Sequence, residues 1–158
     1  MNSESADPRP IGCPLCVVQD GHGLQRHFVN SGDETQLSIH IPRRLQGYPG
    51  IAHGGYIAFF FDEVIGYAVG QKVGGVAVTR SLQVDYERPV PVEVPIIVVG
   101  TYDRPGNEHH LHRGRGTLYD AWGTRLAQGE GLFLIGSGRT IRRLLSIRSR
   151  PSAAKKSC

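Results

Sequence analysis

No stretch of this sequence is apolar for long enough to cross a bilayer. The longest candidates, residues 56–61 and 94–99, each end at a charge or a turn residue, far short of the roughly 18 residues a membrane helix needs. Cysteine is scarce: Cys13, Cys16 and Cys158 are too few for the disulfide framework of a small secreted domain and fit a reducing compartment. The first ten residues carry Glu4 and Asp7 and no apolar core, which is not the pattern of a secretory signal. A cytoplasmic protein without membrane partners is therefore expected.

Acidic residues are missing from one region only. From Arg139 onward there are seven basic residues and no acid, which leaves 11 basic against 14 acidic residues in the first 138. The net charge of +4 thus belongs to a solvated tail, and the mildly acidic body offers no basic groove for nucleic acid. A length of 158 residues, 39% hydrophobic and 20% charged, suits one globular domain. The expected division is a flexible N-terminus over 1–10, a domain over 11–138 and a basic, disordered tail over 139–158.

Within the domain, residues 36–41 alternate polar and apolar side chains, the pattern of a half-buried strand, closed by Pro42. Residues 43–50, rich in Gly and Pro, read as a loop. The run from Gly54 to Gly70 is too long and too continuously apolar for a strand, so it predicts a helix buried on nearly all sides, which needs a sheet around it. Residues 76–88 read as a strand in strict period two, with Val76, Val78, Leu82, Val84 and Tyr86 on one face and Ala77, Thr79, Ser81, Gln83, Asp85 and Glu87 on the other. Residues 94–102, 109–119 and 124–135 predict three more strands, joined by turn-like segments at 104–107 and 120–123 that favour antiparallel neighbours. Ala127, Gly129 and Gly131 share one face of the last strand, where small residues would let the helix lie close. The fold class is α+β: an antiparallel five- to six-stranded sheet wrapped around one long central helix, the order of elements of a hotdog fold.

His53-Gly54-Gly55 opens the predicted helix, where unpaired backbone N–H groups and the positive end of the dipole face outward. Glycine lets a carbonyl approach that backbone closely. Asp62 falls nine positions later, about two and a half turns along the helix. A carboxylate among apolar residues is costly unless it has partners. Glu63, its neighbour, points about 100° away around the helix. Two histidine groups invite a metal reading. Cys13 and Cys16 with His22 and His27 could complete a tetrahedron, but their spacing is much shorter than a zinc finger's. His109, His110 and His112 read as a solvated strand face, and no metal is expected.

The run from Gln46 to Gly55 (Gln-Gly-Tyr-Pro-Gly-Ile-Ala-His-Gly-Gly), then Phe61-Asp62-Glu63, Val78-Thr79 and Asp85-Tyr86-Glu87-Arg88-Pro89-Val90, resembles the signature of the hotdog acyl-CoA thioesterases of the phenylacetate-pathway type. Cys13-Pro14-Leu15-Cys16, with His22-Gly23-Leu24 and Phe28, resembles a lead-in common in one branch of that superfamily. The resemblance covers residues 13–135. It implies hydrolysis of an acyl-CoA, aryl-CoA or carrier-bound thioester without a cofactor. Asp62 is then general base or nucleophile, the Gly54 N–H binds the oxyanion, His53 orients the turn or the thioester carbonyl, and Thr79 helps hold the attacking water. Gly55, Gln46, Glu63 and Arg88 would contact substrate; on charge alone, Arg88, Arg104 or the basic tail would meet the phosphates of CoA. Active sites at subunit interfaces make a homodimer or homotetramer the implied unit. One departure is Gly47, where the phenylacetate type often carries Asn six positions before the histidine; either the neighbouring Gln46 supplies an equivalent amide or this branch orients the thioester differently. The other reading is a non-hydrolytic hotdog protein that binds or processes an acyl or polyketide thioester.

Overall fold

The computed structural model describes residues 26–107 and 110–137. The Cys13/Cys16 pair with His22, His109, the N-terminal segment 1–10 and the basic tail 139–158 lie outside the described residues, as does the His27 side chain.

Six strands form one antiparallel sheet. They are β1 (Arg26–Ser31), β2 (Glu34–His40), β5 (Val76–Tyr86), β6 (Pro95–Pro105), β7 (Leu111–Asp120) and β8 (Arg125–Gly136), in the order β1-β2-β6-β7-β8-β5. Among the described residues a single α-helix of 20 residues, α1 (Gly54–Val73), lies across one face of the sheet against β2, β5, β6, β7 and β8. This is the hotdog arrangement expected from the order of elements. Its core is continuous: Ile57, Phe60, Phe61, Val64, Ile65 and Val69 of α1 meet Leu37 and Ile39 of β2, Ile96 and Val98 of β6, Leu118 of β7 and Phe133 of β8. No helix among the described residues is long and apolar enough to cross a membrane.

The close approach of helix and sheet comes from glycine, on more strands than β8 alone. A Cβ added at Gly129 would stand 2.8 Å from the Phe61 ring, one at Gly116 2.7 Å from the same ring, and one at Gly100 2.7 Å from the backbone oxygen of Val64. Side chains at these positions would lift α1 off the sheet, and an interior packed to crystal density has nowhere to put them.

Several expectations need correction. β1 was not anticipated; it pairs with β2 through a tight turn in which Gly32 takes φ +61°, a conformation glycine adopts without steric cost. The 43–50 loop holds a 3₁₀ turn (Arg43–Leu45) and the hairpin strand β3 (Gln46–Tyr48), which pairs with β4 (Ile51–Ala52). α1 continues past Gly70 and stops at Gly74, whose φ of +80° ends it while the Gly74 and Gly75 N–H groups both bond to the Gly70 carbonyl. Nor is the helix buried all round in a single chain. Gly55 and Tyr56 are exposed, and Phe59, Asp62, Glu63 and Gly66 are only half-buried, because one sheet covers one side.

β5 does not keep strict period two either. Its pairing with β8 slips between Thr79 and Ser81, a bulge that leaves Arg80 over and reverses the alternation. Ala77 before it, and Leu82 and Val84 after it, all pack on the core, while Val76 and Val78 are exposed. Ser81 and Gln83 therefore do not share a face with Thr79. β5 is also the last strand of the sheet, so its outer edge is unpaired among the described residues.

Candidate active site

The site begins at the start of α1. His53 is the N-cap, with extended backbone (φ −67°, ψ 132°), and its Nδ1 accepts the Gly55 N–H at 3.0 Å, the role usually taken by a short polar side chain. The His53 carbonyl accepts the N–H groups of Tyr56 (3.0 Å) and Ile57 (3.4 Å). Among the described residues no acceptor meets the Gly54 N–H. Of the four donors that open a helix, three are capped and one is left for a ligand.

Gly47 backs onto this turn: a Cβ there would lie 3.2 Å from the His53 Cα, so an Asn at this position would press on the cap. The neighbouring Gln46 uses its Oε1 to accept the Gly50 N–H at 3.1 Å. This closes the β3–β4 hairpin and leaves the amide NH₂ as the part of Gln46 available to a ligand. Gln46, His53 and Gly55 line an open cleft of about 660 Å³ together with Arg44, Tyr56 and Phe59.

Asp62 lies seven residues beyond Gly55, about 20° short of two full turns, and so on the same side of the helix. It is half-buried rather than enclosed, and its Oδ1 accepts the Thr79 hydroxyl at 2.5 Å. The β5 bulge makes this pair possible: by spending Arg80 at the slip, the strand faces both Thr79 and the later apolar residues inward. Glu63 is half-buried on the neighbouring side of the helix.

Arg88 is not in the cleft. It follows Tyr86 at the end of β5, where its guanidinium donates to the Arg125 carbonyl at 2.8 Å. Glu87 beside it accepts from Gln128 and Arg125. These bonds, the Gln128 one foremost, hold its carboxyl below the usual carboxylate range, so it stays charged as the counter-ion of Arg125.

Two contributions escaped the sequence reading. Arg44, Tyr56 and Phe59 line the cleft, with the His53 and Tyr56 rings edge-on at 6.3 Å. Tyr86 donates its hydroxyl to the Gly54 carbonyl at 2.8 Å. The spacing of Tyr56 and Phe59 from His53 on a helix could have suggested the first. The second depends on the bulge, which strict alternation hides. No group of three or more His, Cys, Asp or Glu among the described residues is placed to hold a metal ion.

The arrangement supplies a carboxylate with a hydroxyl partner, a free backbone donor at a helix start, and a cleft with an aromatic wall. Those are the parts that acyl transfer to water requires.

Comparison with known proteins agrees with this inventory. A family model described as the thioesterase superfamily matches residues 49–109, the span from the β3–β4 hairpin through α1, β5 and β6. Acyl-coenzyme A thioesterase THEM4 of Xenopus laevis is 35% identical over 82 residues, covering 51% of this chain and 36% of that protein. The match thus spans about a third of the curated relative's length. Among solved structures, smu.793 from Streptococcus mutans, bound to acetyl CoA, superposes with a TM-score of 0.64 at 18% identity, covering 72% of this chain and 90% of that one. The E. coli PaaI protein from the phenylacetic acid degradation operon superposes with a TM-score of 0.64 at 14% identity, covering 72% and 80%. At these identities the two structures share the fold.

Proposed function

We propose that this hotdog-fold chain belongs to the thioesterase superfamily, whose model matches residues 49–109, and that it is an acyl-CoA thioesterase of the phenylacetate-pathway type. The observation that carries the reading is the Asp62 carboxylate, hydrogen-bonded by Thr79 on the open side of a helix whose first N–H is free. Asp62 takes a proton from water as the water oxygen attacks the thioester carbon, or attacks that carbon itself to give an anhydride that water opens. The carbonyl oxygen gathers negative charge against the Gly54 N–H. The C–S bond then breaks; on the first route the leaving thiolate takes the proton held by the carboxyl, and on the second it takes one from solvent water. Thr79 orients the carboxylate. No step needs a cofactor. The acetyl CoA in the Streptococcus mutans structure supports a CoA ester as substrate. Three cysteines in 158 residues support a cytoplasmic location.

We infer from helix geometry that the working site is a shared one. Eight residues separate Gly54 from Asp62, ~12 Å along the axis at ~1.5 Å per residue. A single carbonyl must lie about 3 Å from both its oxyanion donor and its attacking group. One protomer cannot supply both to the same carbonyl. A two-fold axis perpendicular to α1 would set the two helices antiparallel, so that the start of one lies beside Asp62 of the other. The outer edge of β5, unpaired among the described residues and with Val76 and Val78 exposed beside it, is what such a dimer would cover, since an open edge of this length is otherwise a liability.

The activity is tested by following release of free thiol from short-chain, long-chain and aryl acyl-CoAs, with acyl-carrier substrates alongside. Turnover of at least one class is expected. Thiol release from none, with a ligand still bound, would favour the non-hydrolytic reading.

A further inference from the structure

Tyr86 stands where the proposed reaction has no role for it. Its hydroxyl donates to the Gly54 carbonyl at 2.8 Å. That carbonyl belongs to the same peptide unit as the Gly55 N–H, which in turn donates to His53 Nδ1 at 3.0 Å. The two hydrogen bonds run in one direction: hydroxyl to carbonyl, across the amide, to the imidazole. A hydrogen bond received at a carbonyl oxygen draws electron density from its amide and makes the N–H a better donor. A ring whose Nδ1 accepts carries its proton on Nε2 in the neutral form. His53 lines the cleft, so the relay leaves it there as an N–H donor rather than an acceptor.

The geometry points to Tyr86 as a positioning residue that holds His53 in its Nε2–H tautomer and fixes the Gly54–Gly55 peptide at the oxyanion end of the site. The part of the inference about the reaction rests on the thioesterase reading; the part about the ring does not. Gly54 has no side chain to restrain it. Tyr86 supplies that restraint from β5, its ring lying 3.4 Å from where a Gly54 Cβ would stand, while His53 supplies it from the other side. The β5 bulge is what turns Tyr86 inward, so the irregularity that aims Thr79 at Asp62 also aims Tyr86 at Gly54. A tyrosine acting here in its neutral form only as a donor removes nothing from substrate, and its effect reaches the reaction through His53 and the backbone.

Tyr86→Phe tests this, because it keeps the ring against Gly54 and removes the hydroxyl alone. Nitrogen-15 spectra of the wild-type protein should show the neutral His53 ring protonated at Nε2. In Tyr86→Phe the Gly55 amide proton should move upfield and the ring should give a mixture of tautomers. With acyl-CoA, kcat should fall about threefold to tenfold, the loss of one neutral hydrogen bond, with KM within twofold. A purely structural tyrosine would change neither the ring nor the amide. A wild-type ring protonated at Nδ1, or a Tyr86→Phe protein whose Gly55 and His53 signals do not move, would overturn the inference. A wild type that hydrolyses no thioester yet shows the Nε2–H ring and loses it in Tyr86→Phe would support the relay and overturn the hydrolase reading.

Discussion

Replacing Asp62 by Asn should lower kcat by roughly 10²-fold to 10⁴-fold, the range for loss of a general base, in a protein that stays folded. The amide keeps the size of the carboxylate, and its oxygen can still accept the Thr79 hydroxyl, so the 2.5 Å bond is not what is lost. What is lost is the ability to take a proton or to attack. Glu63→Gln should cost far less, because Glu63 projects about 100° around the helix from Asp62. Steady-state kinetics on the best acyl-CoA, with light scattering to show an unchanged oligomer, separates the two carboxylates. Near-wild-type turnover in Asp62→Asn with loss in Glu63→Gln would move the role to Glu63.

Gly54→Pro should be nearly as damaging, at roughly 10²-fold to 10³-fold in kcat, the effect of removing one oxyanion donor. Proline is suited to the first position of a helix and lacks only the N–H in question. The preceding residue must then be extended, and His53 already is, at φ −67° and ψ 132°. The added Cβ meets the Tyr86 ring at 3.4 Å, ordinary contact. Gly54→Ala, which adds the same Cβ but keeps the N–H, should cost much less. Equal losses in the two variants would show that space at Gly54, and not its N–H, matters to turnover.

What could be read from the sequence and what could not divide along physical lines. The helix, the three strands after β5 and the His53-Gly54-Gly55 start were legible because each is written in local pattern: a continuous apolar run, alternation between turn residues, glycine at an N-terminus. Asp62 was legible because a carboxylate in that run needs a reason. The slip at Arg80 was not. A bulge is set by pairing with β8, some fifty residues away in sequence, and nothing in residues 76–86 marks it. Tyr86 was consequently read as one more member of an apolar face. The one-sided burial of α1 was missed for a different reason: an apolar circumference records every surface the helix meets, and part of that surface belongs to a second copy in the dimer proposed above. The bond from the Gly50 N–H to Gln46 Oε1 stayed hidden because it follows from the hairpin, which the Gly and Pro of the 43–50 segment disguised as loop.

The shared site can be measured by mixing two inactive proteins. Asp62→Asn and Gly54→Pro chains, unfolded together and refolded at equal concentration, should form mixed dimers in which one of the two sites draws an intact Gly54 from one chain and an intact Asp62 from the other. With half the dimers mixed and one site in two restored, thiol release should recover to about a quarter of the wild-type rate. If Gly54 and Asp62 instead serve the carbonyl from the same chain, every site carries one lesion. The mixture would then hydrolyse acyl-CoA no faster than the mean of its two parents, and that result would contradict the account.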